Sequence, residues 1–147
     1  MKYVLLSLPV ILLIYLFFFY PNKASENTTS KINQGIAFEK LSVEDAKQKA
    51  KAEKKIIFID VFATWCGPCK LLKQTTFKDE NVKKYFDEHF INLAIDAEKP
   101  EGEILLQNFP IQGYPTLLFI NENGELVKQH LGFIDAEELL KFASSIN

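Results

Sequence analysis

The run Ile56-Ile57-Phe58-Ile59-Asp60-Val61-Phe62 is apolar except for one acid. It is rich in β-branched and aromatic residues and too short for an independent helix. Such a run predicts a buried central strand, which needs helices packed against it. Four and seven residues beyond it lie Cys66 and Cys69, the chain's two cysteines. A disulfide between residues three apart closes too small a loop to staple a fold, so the pair is chemical rather than architectural.

The flanking sequence alternates helical and strand patterns. Ser42, with Asp45 three residues on, resembles a capping box and opens a helix running to about Glu53. Cys66 begins a short helix. Phe77 to Phe90 is a second helical stretch, with Val82, Tyr85, Phe86 and His89 on one side. Ile91 to Ile95 alternates like a strand, and Glu101 to Phe109 is helical. Thr116–Ile120 and Glu125–Leu131 flank Asn121-Glu122-Asn123-Gly124, whose Asn-Gly favours a tight hairpin. Asp135, with Glu138 three residues on, caps a final helix to about Ile146. This order predicts an α/β fold: a central mixed sheet with helices on both faces.

The N-terminus is of another kind. Val4 to Tyr20 is apolar apart from Ser7 and Pro9, follows Lys2, and leads into the polar stretch Pro21 to Ser30. A charged start, an apolar tract and a polar exit make a signal peptide or a membrane anchor. The tract is short for a span and long for a signal core. Ala24 suits a cleavage site, but Asn22 two residues before it does not, which favours an anchor. The expected organisation is a signal or anchor at residues 1–20, a polar linker at 21–37 and one domain at 38–147. Either export reading puts that domain outside the cytoplasm, in a bacterial periplasm. With 17 basic and 19 acidic residues, the net charge of −2 gives no reason to expect nucleic-acid binding.

A Cys-x-x-Cys pair can also bind zinc, but zinc needs four ligands, usually with a second close pair. His89 and His130, the only histidines, are far apart, so no metal is expected. Disulfide exchange instead needs a poised thiolate beside a resolving thiol. Cys66 follows a buried strand and starts a helix, whose free N–H groups and positive end favour the thiolate. Cys69 lies one turn on. Gly67 allows a tight turn, Pro68 suits a first helical turn, and Lys70 adds a cation. Cys66 is therefore the attacking residue, expected to be exposed, and Cys69 the buried resolving one.

Phe62-Ala63-Thr64-Trp65-Cys66-Gly67-Pro68-Cys69-Lys70 resembles the active-site segment of thioredoxins. Gly113-Tyr114-Pro115-Thr116 resembles that family's cis-proline loop, and Gly132 its glycine before the last helix. Thr76 to Val82 and Gly132 to Glu137 are similar to the C-terminal domain of the transmembrane Dsb-type interchange reductases. The resemblance implies the thioredoxin fold from about Leu41 onward. It implies that Asp60 is the buried acid relaying a proton for Cys69, and a carboxylate in an apolar strand has its midpoint raised. It places Trp65, Gly67, Pro68, Tyr114 and a cis Pro115 on the face that meets substrate. It implies a protein-disulfide reductase with no cofactor beyond the Cys66–Cys69 disulfide. Its partners would be protein thiols and disulfides and a membrane electron donor, and it would act as a monomer. Two positions depart from ordinary thioredoxins: Asn92 replaces a lysine opposite the buried acid, and Gln74 replaces a helix-kinking proline. An oxidase or isomerase of the same fold, and a non-catalytic peptide-binding module, are the alternatives.

Overall fold

Residue-level capping sets where the helices begin. The computed structural model describes residues 35–146. The expected signal or anchor at 1–20 and the linker up to residue 34 lie outside the described residues. Gly35 to Ala37, assigned to the linker from sequence, dock onto the domain. Ile36 is buried and its N–H donates to the Phe77 carbonyl (2.8 Å), while the Ala37 N–H donates to Asp87 Oδ1 (2.8 Å).

Helix α1 spans Val43–Glu53, and its Ser42 hydroxyl accepts from the Asp45 N–H at 3.1 Å. Strand β1 is Ile56–Phe62 and helix α2 is Gly67–Gln74. A 3-10 turn at Thr76–Lys78 precedes α3, Glu80–His89. The expected start of this helix at Phe77 is corrected: Asp79 breaks the run and caps α3 by accepting from the Asn81 and Val82 N–H groups. Two orphan donors are satisfied there, which makes Glu80 the first helical residue. Strand β2 is Phe90–Asp96, α4 is Pro100–Asn108, β3 is Thr116–Ile120 and β4 is Leu126–Leu131. The last helix, α5, spans Ala136–Ser144 with Asp135 accepting from the Glu138 N–H at 2.9 Å.

The sheet order is β2-β1-β3-β4, with β1 parallel to β2 and the other pairs antiparallel. The β3–β4 hairpin closes at Asn121–Gly124, where Gly124 adopts φ 84°, a conformation that favours glycine. Side chains alternate across a strand. Phe58, Leu117 and Phe119 therefore face one layer, formed with Leu72 of α2, Phe86 of α3 and Leu139 of α5. Ile57, Ile59 and Leu118 face the other, formed with Ala46 and Ala50 of α1 and Leu105 of α4. Helices cover both faces, as the apolar run of β1 requires. Asp60 lies on the first of these faces, between Phe58 and Phe62.

Candidate active site

Strand β1 delivers the chain to the edge of the core, and a tight turn follows. The Cys66 N–H donates to the Ala63 carbonyl (3.1 Å), which places Cys66 as the N-cap of α2. Its Sγ accepts the Cys69 N–H at 3.1 Å, so the sulfur occupies the position that favours negative charge at a helix N-terminus. Cys66 and Cys69 form a disulfide, with Cα atoms 5.3 Å apart. Both are buried, at 3% and 2% exposure, among Ala63, Phe62 and Tyr114. The expected exposure of Cys66 is thus corrected: in the disulfide state the side chains around it close over its sulfur. Gly67 also differs from expectation. Its φ is not positive, and a Cβ there would meet nothing within 4 Å, so the turn does not require glycine.

The second wall is the loop before β3. The Tyr114–Pro115 peptide is cis. Tyr114 packs on the cysteine cluster, and Pro115 is buried with its carbonyl accepting from the Gly132 N–H at 2.8 Å. Gly132 holds φ 96°, which an L side chain rarely adopts, and this brings its N–H to the proline loop. The backbone N–H and carbonyl of Tyr114 make no hydrogen bond among the described residues. Trp65 is 67% exposed, stands edge-on to Tyr114 at 6.0 Å between ring centroids, and donates its indole N–H to Glu98 Oε1 at 3.1 Å. The other oxygen of Glu98 accepts from the Thr64 hydroxyl at 3.1 Å. Pro68 lies exposed on the first turn of α2.

Asp60 is fully buried and neither carboxylate oxygen has a hydrogen-bond partner. Burial pushes its carboxyl up to about 6, opposed by the Lys73 ammonium, 3.7 Å from Oδ2. That distance makes an ion pair but is too long for a hydrogen bond. Burial lowers the Lys73 ammonium in turn, opposed by Asp60 and, to a smaller degree, Asp96.

Residues 43–146 match the thioredoxin-like domain family. The chain belongs to that family. Over 131 residues it is 27% identical to the thiol:disulfide interchange protein DsbD of Actinobacillus pleuropneumoniae, a match covering 85% of this chain and 22% of that protein. Over 122 residues it is 32% identical to DsbD of Campylobacter jejuni, covering 82% and 21%. The chain thus spans about a fifth of the length of these curated relatives. A solution structure from Bacteroides thetaiotaomicron, described as a candidate disulphide-isomerase, is 49% identical with a TM-score of 0.69, over 77% of this chain and 93% of that one. The oxidised DsbD C-terminal domain of Neisseria meningitidis shares the fold at 23% identity, with a TM-score of 0.61 over 76% and 99%.

Within this thioredoxin-like domain, two side chains that touch the candidate site, Lys73 and Glu98, are not singled out by the sequence. The first is Lys73. The sequence points to Lys70 as the cation of this helix, yet Lys70 is exposed while Lys73 meets the buried acid. A signal existed: Lys73 lies four residues after Cys69, on the same face of α2. The second is Glu98, 33 residues from Trp65, for which spacing carries no signal. Asn92, expected opposite Asp60, lies instead beside Phe58 in the β1–β2 register and donates to the Phe86 carbonyl at 3.2 Å. The residue beside Asp60 on β2 is Ala94.

Proposed function

We propose that this chain is an extracytoplasmic thiol–disulfide oxidoreductase that reduces protein disulfides through the Cys66–Cys69 dithiol. The observation that carries the reading is the disulfide at the N-terminus of α2, with Cys66 Sγ accepting a backbone N–H beside the unbonded main chain of Tyr114. The family and the DsbD likeness support the chemistry, and the N-terminal apolar tract supports the location.

In the reaction, the Cys66 thiolate attacks one sulfur of a substrate disulfide. A Cys66–substrate bond forms, the substrate S–S bond breaks, and the departing thiolate takes a proton from solvent. Cys69 gives its proton to Asp60 and attacks Cys66 Sγ, closing the intramolecular disulfide and expelling the second substrate sulfur as a thiolate, which takes a proton from solvent. Two electrons pass to the substrate, and a dithiol of a membrane donor restores Cys66 and Cys69. Tyr114 and Pro115 offer backbone to an extended substrate strand, while Trp65, Gly67 and Pro68 form the surrounding surface. The exposed side chains of Leu131 and Phe133 on either side of Gly132 extend it as an apolar rim suited to unfolded protein.

An isomerase is the second reading, favoured by the description of the Bacteroides relative. Equilibration with a glutathione or dithiothreitol buffer separates the two. A reductase should lie near about −270 mV, whereas isomerases lie near about −180 mV and strong oxidants near about −120 mV. Cys69→Ser should accumulate mixed disulfides in cells and Cys66→Ser none. An oxidising potential, with the pair disulfide-bonded after acid trapping in cells, overturns the reductase reading.

A further inference from the structure

The surroundings of Asp60 are asymmetric. Along its row of the sheet, the in-register neighbours are Ala94 on β2 and Leu117 on β3, with His130 of β4 next beyond Leu117. The Leu117 side is closed and apolar, and His130 lies two strands away, roughly 10 Å by strand spacing. The Ala94 side is exposed. The side chain at Ala94 is small and uncharged, and the cation that reaches the acid comes from α2, as Lys73. The Lys73 ammonium sits 3.0 Å from the centroid of the Phe62 ring and 3.7 Å from Asp60 Oδ2. Cys69, Leu72 and Lys73 share one face of α2 because residues three and four apart align. The lysine therefore stands one turn beyond the resolving cysteine, on the side facing the acid. The other charged group acting on it is Asp96, beside Phe62 at the end of β2.

We propose that Lys73 is a positioning residue for the exchange reaction: docked on Phe62 within ion-pair distance of the acid, it holds Asp60 ready as a carboxylate when Cys69 must lose its proton. This rests on Asp60 acting as the base for Cys69. A cation drawn from the active-site helix answers the absence of any charged group at Asn92 or Ala94. It also links the base to the helix that carries both cysteines. Phe62 matters as a platform, since a lysine over a ring face is held by cation–π attraction and loses less freedom in reaching the acid.

The test uses the full chain and the variants Lys73→Met, which keeps the stem over Phe62, and Lys73→Arg, which keeps the charge. Two quantities are read: the titration of the Asp60 carboxyl carbon by NMR, and the pH dependence of mixed-disulfide decay through Cys69. An opposite charge at this range lowers a carboxyl by about one unit or more. Lys73→Met should therefore raise the Asp60 midpoint by about one unit, slow decay about fivefold near pH 6, and change it little above about pH 8. Lys73→Arg should restore both. Circular dichroism and a thermal melt report whether each variant is folded. An Asp60 midpoint unmoved in folded Lys73→Met, or a decay profile that Lys73→Arg fails to restore, overturns the proposal. Asp60→Asn keeps the underlying reading separate. If it leaves mixed-disulfide decay unchanged at every pH while Lys73→Met still shifts the carboxyl titration, Asp60 is not the base, and the link from Lys73 to Cys69 falls with it.

Discussion

At the scale of the residue, the energetic oddity is Asp60, a fully buried acid without a hydrogen-bond partner. Its cost to folding has a definite pH signature. The folded midpoint, about 6, lies above the ordinary value of 3.8. Below the ordinary value the acid is protonated in both states and costs nothing through ionisation. Between the two midpoints the native state binds more protons, so stability falls as pH rises, and above the folded midpoint the penalty is constant. Asp60→Asn should thus stabilise the oxidised domain by about 2–3 kcal/mol near neutral pH, the free-energy equivalent of that shift. The gain should largely vanish near the ordinary carboxyl midpoint. Urea unfolding at the two pH values checks this, and an equal gain at both would contradict the assignment of the cost to ionisation. Catalysis should suffer in the same variant, because an amide cannot accept the Cys69 proton.

At the scale of the element, the site depends on where helices start. Cys66 is the N-cap of α2, and its sulfur takes the role a serine or aspartate side chain plays elsewhere in this chain. Ser42, Asp79 and Asp135 are those conventional caps. Asp79 accepts from two backbone N–H groups, at 2.9 and 3.1 Å. Asp79→Ala leaves both without that partner and should cost about 1 kcal/mol, lowering the melting temperature by roughly 4 °C or more for a domain of this size. A calorimetric melt measures it. The potential of the disulfide should not move, because α3 contributes no side chain to the Cys66–Cys69 cluster. A shifted potential would mean that α3 and α2 are coupled more tightly than their packing shows.

At the scale of the whole molecule, one aromatic layer joins the elements behind the site. The ring of Phe58 lies 4.8 Å from Phe86, 5.0 Å from Phe119 and 6.0 Å from Phe77, centroid to centroid, and so ties β1 to α3, β3 and the 3-10 turn. Phe58 is fully buried. Phe58→Ala should destabilise the domain by about 3–5 kcal/mol, from lost transfer energy plus the cavity left behind. Denaturant unfolding would show this as a lower midpoint at similar slope. A loss under about 1 kcal/mol would mean that the layer collapses to refill the space.

Much of this architecture was legible in the chain. The apolar run with a single acid specified a buried strand, Ser42 and Asp135 marked helix starts, and Asn123-Gly124 marked the hairpin. The Cys66–Cys69 spacing, taken together with Gly113-Tyr114-Pro115-Thr116, pointed to disulfide exchange. These features arise from forces acting between residues a few positions apart, so spacing suffices to read them. Even there, the pattern from Phe77 onward places the start of α3 too early, because the cap at Asp79 makes Glu80 its first residue. What surrounds the sulfurs was decided only by tertiary packing. Cys66 is buried because Tyr114, 48 positions on, folds back over its cluster. Glu98 secures Trp65 because the loop after β2 runs beside the loop after β1, tied by the Ala97 N–H to the Phe62 carbonyl at 2.8 Å. Lys73 meets Asp60 because α2 lies across the face of β1 on which that acid projects. Burial, long-range hydrogen bonds and charge pairing depend on distances through space, and those distances exist only once the sheet is in register and the helices are laid on it.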